Sequence, residues 1–367
     1  MEDIIYKLSK LEGPLHTDSA SGKQVKQLML SPLGKTIREL LPQYRPWCRL
    51  FPSGAVILSD GSVTTCCQDA IGSNTYGNIF TTDVTSLWQK AADIAEKGLY
   101  ELSACRQCIG TFGLSSLISR QQDYAVWQQL ADGCPTELGL EIMSSCNYQC
   151  CIAAELHHYR AASKLNLPEL FIRLAPFLPN IQKLKLFNYG EPLLNDNLCE
   201  FIRNCRSVAP ALTMTLATNG MLLNTATASC LIENQLNQVI VSVHGGPGTE
   251  NMLKYSRVGA DYPRVLNNVA DLIKLRIARR SQLPKISLRA ILFNWNDSEE
   301  IMDVFRKDAK KLGLEATWGN VNTDNYHWIL DGERERRERS SSRFVPGSPA
   351  LTDLIGRKEF SVREFWS

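Results

Sequence analysis

The stretch EIMSSCNYQCCIAAE, residues 141–155, places three cysteines within six positions directly after an apolar strand segment. Cys146 and Cys150 are four residues apart, which is the spacing of an iron–sulfur loop. A cubane cluster is held by cysteine thiolates, and a loop with cysteines at positions i, i+4 and i+7 can wrap three of its irons. Position i+7 here is Ala153, and the third cysteine is Cys151. The loop therefore predicts an iron–sulfur site whose third ligand is in question.

The composition excludes several classes of protein. The chain has 367 residues and a net charge of +2, so neither nucleic acid nor an anionic membrane is expected as a partner. Acidic residues occur at positions 2 and 3, so the N-terminus does not resemble a signal peptide. No stretch approaches the roughly 20 apolar residues of a membrane span. The protein has 12 cysteines in a long chain without an export signal. This combination indicates that the cysteines are free thiols or metal ligands. We therefore expect a cytoplasmic protein with no membrane partner.

From about residue 136 onward, the sequence alternates between apolar strands and amphipathic helices. The clearest helix covers 297–313, where Asp297 and Glu300 form a capping-box pattern and Gly313 closes the helix. Its predicted apolar stripe consists of Ile301, Val304 and Phe305. The predicted strands are LGLEI (138–142), KLKLFNY (183–189), LTMTLATN (212–219), QVIVSVHG (238–245), KISLRAILF (285–293) and EATWGNV (315–321). This alternation predicts an α/β fold with a parallel sheet and with ligands at the carboxyl ends of its strands.

The first 132 residues have a different pattern. A hairpin is predicted with its turn at Asp60-Gly61. The helix that follows, DVTSLWQKAADIAEKG (83–98), has one apolar face formed by Val84, Leu87, Trp88, Ala91 and Ala95. We therefore divide the chain into a small α+β domain at 1–132 with its core at 45–112, an α/β domain at 133–330, and a charged linker and C-terminal tail at 331–367.

Short motifs follow the predicted strands in a fixed order. They are NYGEP (188–192), ATNG (217–220) and VSVHG (241–245). Together with the cysteine loop, this order resembles the radical S-adenosylmethionine (radical SAM) superfamily over roughly residues 136–322. The resemblance implies a partial (β/α)6 barrel and a [4Fe–4S] cluster bound by Cys146 and Cys150, with Cys151 as a substitute third ligand.

The same resemblance implies how S-adenosylmethionine is bound. Glu191, which follows Gly190 in the Gly-Glu-Pro motif, would accept a hydrogen bond from the methionine amino group. Ser242 would contact the ribose or the carboxylate, and Arg289 would pair with the carboxylate.

In the radical SAM family, the cluster donates one electron to S-adenosylmethionine, and the resulting 5′-deoxyadenosyl radical takes a hydrogen atom from the substrate. The resemblance therefore implies an enzyme, either an oxidoreductase or a peptide-modifying maturase. Its expected partners are a peptide or small-molecule substrate and a reductant such as flavodoxin or ferredoxin.

A second set of cysteines lies in the first domain. It consists of Cys48, Cys66 and the pair Cys105 and Cys108, with a GNI sequence and a Trp-bearing helix between them. This pattern resembles the SPASM/twitch module, which implies one auxiliary [4Fe–4S] cluster bound by these four cysteines. Four cysteines, two of them close in sequence, could also bind zinc. A third alternative is that they bind no metal. The module here precedes the barrel, whereas it more commonly follows it.

Ala153 leaves a second hypothesis open. In this hypothesis, the chain is a catalytically degenerate radical SAM-like protein that serves as a binding or scaffold subunit. His157 or His158 could supply the missing ligand, although solvent-facing histidines are the simpler interpretation. Cys205 and Cys230 lie on helical segments and are predicted to be buried core thiols.

Overall fold

The computed structural model of the protein describes residues 54–65, 67, 69, 71–97, 133–150, 160–320, 342–344 and 349–356. Outside the described residues lie several positions singled out in the sequence, namely Cys48, Cys66, Cys105, Cys108, Cys151, Ala153, His157 and His158. The chain forms two compact units, one mainly of Ser62–Leu138 and the other mainly of Gly139–Thr323. The domain boundaries at 132 and 330 remain predictions.

The predicted hairpin is confirmed. Strands β1 (Gly54–Ile57) and β2 (Ser62–Thr64) flank the turn at Asp60-Gly61. Gly61 has a φ of +86°, a backbone conformation that a residue with a side chain would adopt only with strain. Its N–H donates a hydrogen bond to the Leu58 carbonyl at 2.8 Å. Strand β2 pairs antiparallel with β3 (Gly77–Asn78).

Helix α1 (Val84–Lys97) follows these strands and buries one face. That face contains Leu87 and Trp88, which are fully buried, together with Val84 and Ala91. The Asp83 carboxylate accepts a hydrogen bond from the Ser86 N–H at 2.9 Å and so satisfies a donor of the first turn. The periodicity of the sequence predicted these four buried positions correctly.

The second unit is built on a parallel sheet. Its strands are β4 (Glu137–Leu140), β5 (Lys183–Lys185), β6 (Thr213–Thr218), β7 (Gln238–Ser242), β8 (Lys285–Leu292) and β9 (Ala316–Asn320). They lie side by side in chain order, and each neighbouring pair from β5 to β9 is parallel. The predicted α/β class is therefore confirmed, and closure of the sheet into a partial barrel remains a prediction.

Helices connect the strands, as the alternating pattern predicted. They are α2 (Leu167–Leu174), α3 (Leu198–Val208), α4 (Thr225–Glu233), α5 (Thr249–Ser256), α6 (Tyr262–Ala278) and α7 (Glu299–Lys311), with α8 (Pro349–Gly356) after them. Short 3₁₀ turns occupy Leu178–Asn180 and Pro192–Leu194. Among the described residues, no helix has both the length and the apolar composition needed to cross a bilayer.

Strands β5 and β7 end clearly earlier than predicted because the chain turns within the motifs. Strand β5 stops at Lys185, and Gly190 beyond it has a φ of +74°. Strand β7 stops at Ser242, and Gly245 has a φ of +84° within a turn where the Gly246 N–H donates to the Val243 carbonyl. The residues after each strand therefore form loops at the carboxyl edge of the sheet.

The predicted start of helix α7 is wrong. The N-cap is Ser298, whose hydroxyl accepts a hydrogen bond from the Ile301 N–H at 3.3 Å. Asp297 is buried and instead accepts hydrogen bonds from the Ser342 hydroxyl and the Arg343 N–H, at 2.7 and 2.9 Å. The Asp297 carboxylate thus binds a segment that is distant in sequence, and the neighbouring Ser298 caps the helix.

The apolar stripe of helix α7 also differs from the prediction. Phe305 is fully buried as expected, but Val304 is 47% exposed. The buried positions are Met302, Phe305 and Ala309, which recur at helical spacing one residue away from the predicted stripe.

The prediction of a core thiol is correct for Cys205 and wrong for Cys230. Cys205 is a buried free thiol on helix α3. Cys230, on helix α4, forms a disulfide with Cys199 of α3, with the two Cα atoms 6.0 Å apart. The sequence pattern does not show this pairing because it depends on how the two helices pack.

A buried ion pair lies at the end of strand β4. One guanidinium nitrogen of Arg160 contacts both carboxylate oxygens of Glu141, at 2.9 and 2.8 Å. The side chain of Glu141 is 0% exposed and that of Arg160 is 8% exposed. The Ser59 hydroxyl donates a further hydrogen bond to Glu141 at 3.4 Å. Each charge therefore depends on the other for compensation of its lost hydration.

Burial raises the pKa of the Glu141 carboxyl to about 7. Above that pH, we expect Glu141→Gln to lower the free energy of unfolding by about 3–5 kcal/mol, because it leaves the buried Arg160 charge without its partner. The matched control is Asp271→Asn, which breaks the exposed pair with Lys274 and should cost less than about 1 kcal/mol. Urea unfolding of both variants measures the difference. Similar losses for the two variants would contradict the structural role of Glu141.

Candidate functional site

Four loops meet at the carboxyl edge of the sheet in the second unit. They follow strands β4, β5, β6 and β7, and they contain the cysteine loop and the three short motifs. In a parallel sheet this edge is where ligands bind, because the loops there combine side chains from several strands. The motifs separated in sequence are therefore brought to one place.

The cysteine loop presents two thiols, and hydrogen-bond donors surround the sulfur of one of them, Cys146. Cys146 and Cys150 are both partly exposed. The sulfur of Cys146 accepts a hydrogen bond from the Tyr148 N–H at 3.3 Å and from the Asn219 side-chain amide at 3.7 Å. The pKa of the Cys146 thiol is raised to about 12, chiefly by burial and less by the nearby Cys150 and Glu191, while the Tyr148 and Asn219 donors oppose this shift. At neutral pH this thiol is therefore protonated in the chain alone, and a metal ion beside it would favour the thiolate.

Gly190 is required for the cysteine loop to lie against the motif after β5. The Glu191 N–H donates to the Ser145 carbonyl at 2.9 Å. A side chain at position 190 would overlap the Met143 carbonyl oxygen and approach the Ser145 carbonyl oxygen to 2.7 Å. The φ of +74° at Gly190 independently favours glycine. This position thus has a backbone role in seating the loop.

Gly259 supports the other side of the cysteine loop. Its φ is +78°, and a Cβ atom there would lie 2.6 Å from the Asn147 carbonyl oxygen. The Gln149 N–H donates to the Ser256 carbonyl at 3.0 Å in the same region. The end of helix α5 and the residues after it therefore also contact the cysteine loop.

Glu191 joins the ends of strands β5 and β6. Its carboxylate is 1% exposed and accepts hydrogen bonds from the Thr218 hydroxyl at 2.7 Å, the Leu193 N–H at 3.1 Å and the Asn219 N–H at 2.8 Å. Burial raises the pKa of this carboxyl, and the three donors oppose that shift. A carboxylate accepts about four hydrogen bonds, so one acceptor position remains beyond these three. The predicted contact with a methionine amino group stays a prediction.

Asn219 is the site residue that sequence reasoning missed. The ATNG motif was recognised, but no role was assigned to its asparagine. The Asn219 amide donates to the Asn147 side chain at 2.6 Å as well as to the Cys146 sulfur. The only sequence signal was the position of the motif at a strand end, which does not show a contact to the cysteine loop.

Ser242 and Arg289 occupy facing positions on neighbouring strands. They are register partners in the parallel pair of β7 and β8, so their side chains lie on the same side of the sheet. The Arg289 side chain passes over Gly319 of β9, where a Cβ atom would lie 3.3 Å from the Arg289 Nε. The small residue leaves room for the guanidinium. The predicted contacts of both residues with S-adenosylmethionine stay predictions.

His244 follows strand β7 and lies against an aromatic cluster. Its ring meets Tyr255 edge-on at 5.2 Å, Tyr255 contacts Phe293 at 5.7 Å, and Phe293 stacks on Trp295 at 5.0 Å. The pKa of His244 is lowered to about 3, chiefly by burial and less by the positive charge of Arg289. His244 is therefore neutral at physiological pH, and its shielded Nδ1 has no hydrogen-bond partner among the described residues.

In the first unit, the buried carboxylate of Asp69 joins residues 64, 73 and 74. The Asp69 carboxylate accepts hydrogen bonds from the N–H groups of Ser73 and Asn74, both at 2.8 Å, and from the Thr64 and Ser73 hydroxyls. Asp69 is 1% exposed. Within the part of the chain that the structure describes, no three His, Cys, Asp or Glu side chains are grouped to hold a metal ion.

We expect Gly190→Ala to destabilise the protein more than Gly313→Ala. Both glycines have positive φ, +74° and +68°, so alanine is strained by about 1–2 kcal/mol at either position. Only at position 190 would the new methyl group also meet backbone atoms, since nothing lies within 4 Å of the Gly313 position. Urea unfolding should show the larger loss for Gly190→Ala, and equal losses would contradict the close approach of the cysteine loop.

The neutral state of His244 predicts a pH dependence of stability. Between pH 6.5 and about 3, an unfolded histidine binds a proton that the folded chain excludes, so His244 makes the free energy of unfolding decrease as the pH falls. The free energy of unfolding can fall by at most about 1.4 kcal/mol per pH unit from this effect. The actual loss is smaller because the His244 ring is partly exposed. His244→Phe should therefore gain stability relative to the wild type as the pH falls, as measured by urea unfolding. Parallel pH curves for the two proteins would contradict the prediction.

Comparisons with known proteins bear on both units. Residues 48–109 match the family model of SPASM, an iron–sulfur cluster-binding domain. A search of curated proteins found no match.

Several solved structures are similar to this chain, all distantly. SuiB of Streptococcus suis bound to the precursor peptide SuiA is 14% identical, with 88% of this chain and 72% of SuiB covered at a TM-score of 0.44. The protein anSMEcpe with bound AdoMet and the Kp18Cys peptide is 18% identical, with 50% of each chain covered at a TM-score of 0.38. BtrN with AdoMet and 2-DOIA is 19% identical, with 42% of this chain and 56% of BtrN covered at a TM-score of 0.30.

The chain thus spans about half the length of anSMEcpe. The family match is more specific, because its limits enclose Cys48, Cys66, Cys105 and Cys108, the four cysteines on which the sequence prediction rested. Residues 48–109 of this chain are therefore similar to the SPASM iron–sulfur cluster-binding domain.

Proposed function

We propose that this chain is a radical S-adenosylmethionine iron–sulfur enzyme that modifies a peptide or small-molecule substrate. The observation that carries the proposal is the arrangement at the carboxyl edge of the sheet, where the Cys146 loop, Glu191 and Asn219 are joined by hydrogen bonds. The order of the motifs along the chain and the SPASM domain support it.

The described residues fit a cluster on the loop. Cys146 and Cys150 offer two thiols on one short segment, and N–H donors point at the sulfur of Cys146, as is common around the sulfurs of iron–sulfur clusters. Cys151 is proposed as the third ligand. An iron without a protein ligand is open to a cofactor, as an open position is on other catalytic metals.

The side chains around the loop have separate proposed roles in binding S-adenosylmethionine. Glu191 has one acceptor position left for the methionine amino group, and the three donors to its carboxylate favour the charged form that this contact needs. Arg289 and Ser242, side by side on β8 and β7, are proposed to bind the carboxylate and the ribose. When bound, the cluster and S-adenosylmethionine supply the radical chemistry that protein side chains lack.

His244 and its aromatic neighbours are proposed to keep this edge of the sheet dry. A neutral imidazole packed on Tyr255 adds no charge that would attract water. Exclusion of water protects reactive intermediates from side reactions.

The SPASM domain is proposed to bind one auxiliary [4Fe–4S] cluster through Cys48, Cys66, Cys105 and Cys108. Asp69 supports this proposal, because its hydrogen bonds fix the segment on either side of Cys66. Zinc remains the alternative metal, since thiolates bind it equally well. The proposed partners are a peptide or small-molecule substrate and a flavodoxin or ferredoxin as reductant.

The proposal is tested with the full chain after anaerobic reconstitution of its clusters. With dithionite as reductant, we expect the protein to convert S-adenosylmethionine to 5′-deoxyadenosine. Cys146→Ala and Cys150→Ala should abolish the product, because each removes a ligand of the cluster. Cys205→Ala is the control, since this buried thiol lies on helix α3 and is expected to leave the product unchanged. Absence of the product from the wild type would contradict the proposal.

A second candidate function is favoured by Ala153. A loop with an alanine at the third position of the motif could have lost its cluster, and the chain would then be a binding or scaffold subunit with only the auxiliary cluster. Iron content separates the two functions, with about eight atoms per chain expected for two four-iron clusters and about four for one. Ala153→Cys would restore 5′-deoxyadenosine formation only if the missing ligand is the cause.

A further inference from the structure

We infer that Asn219 is a positioning residue of the Cys146 cluster, which raises the reduction potential of that cluster through a hydrogen bond to the Cys146 sulfur. The inference rests on the proposed function and deepens it, because it assigns the control of the site's redox potential to a residue outside the cysteine loop. The residue lies 73 positions from Cys146 in the chain.

The orientation of the Asn219 amide follows from its contacts. Its side-chain oxygen accepts a hydrogen bond from the Met221 N–H at 3.0 Å, and this contact places the oxygen on the side away from the cysteine loop. The amide nitrogen therefore faces the loop, where it donates to the Asn147 side-chain oxygen at 2.6 Å and to the Cys146 sulfur at 3.7 Å. Because oxygen and nitrogen of an amide are distinguished by their partners, the Met221 contact makes Asn219 a donor to the cysteine.

The Asn219 backbone ties the same residue to Glu191. Its N–H donates to the second carboxylate oxygen of Glu191 at 2.8 Å, and Asn219 is only 7% exposed. One buried residue thus contacts both the carboxylate proposed to hold the methionine amino group and a sulfur proposed to hold iron. The side chain and the backbone make separate contacts, so substitution of the side chain leaves the Glu191 contact in place.

The direction of the effect follows from electrostatics. Reduction adds an electron to the cluster, and part of this charge resides on the ligand sulfurs. An N–H donor to a sulfur stabilises the more negative, reduced cluster and so raises its potential. The Tyr148 N–H is a second donor to the same sulfur, but as a backbone group it remains in side-chain variants. The contribution of Asn219 can therefore be removed by itself.

The test is a redox titration of the reconstituted full chain, followed by EPR on the signal that changes when S-adenosylmethionine is added. We expect Asn219→Ala to lower the midpoint potential of that signal, because one donor to the Cys146 sulfur is lost. Asn219→Asp has the same shape without the N–H donor, and its carboxylate beside the sulfur should lower the potential further. Iron content of each variant is measured in parallel.

Asn268→Ala is the matched control. The Asn268 amide donates to the carbonyls of Gly220 and Met221, at 2.8 and 3.4 Å, so it supports the turn that carries Asn219. Its loss should leave the potential unchanged if the contact with sulfur is what matters. An unchanged potential in Asn219→Ala, or an equal shift in Asn268→Ala, would overturn the inference.

A failure of the proposed function gives a different result. Wild-type protein with no signal that responds to S-adenosylmethionine would show that the loop holds no open-site cluster, and the inference would then fall with the proposed function. A responsive wild-type signal with identical potentials in all variants would leave the proposed function standing and reject the inference alone.

Discussion

The candidate site depends on the hydrogen bonds to the buried carboxylate of Glu191. Its three donors come from the end of strand β6 and from the turn after Glu191 itself, and its own N–H holds the Ser145 carbonyl of the cysteine loop. A buried carboxylate without donors would be strongly destabilising. Two strand ends and the loop are therefore held together by the hydrogen bonds of one residue, and the thiols depend on this framework for their position.

This framework explains why small and amide side chains surround the cysteines. Gly190 and Gly259 allow backbone segments to approach the loop more closely than any side chain permits. Asn219 is short enough to reach the Cys146 sulfur while its backbone contacts Glu191. The chemical groups of the site lie on loops, but their positions are determined by the rigid parallel sheet beneath them.

The sequence predicted the features that depend on local pattern. Strand periodicity indicated the parallel sheet, and the motif order placed Cys146 and Glu191 at the same edge. It did not predict contacts made across the fold. Asp297 looked like a helix cap, but Ser342, 45 residues away, binds its carboxylate. Cys230 was predicted to be a core thiol, but it pairs with Cys199. This pairing depends on the packing of two helices, which the sequence pattern does not show. The role of Asn219 was missed for the same reason.

We propose that the loop after strand β4 holds a cluster with one iron open to S-adenosylmethionine. Such an iron is bound directly by the cofactor, so the electronic environment of the reduced cluster must change when the cofactor binds. The most direct measurement is the EPR spectrum of the reduced, reconstituted wild-type protein, recorded with and without S-adenosylmethionine. A signal whose g-values shift on addition of the cofactor is the predicted result. A spectrum that stays the same would contradict the claim.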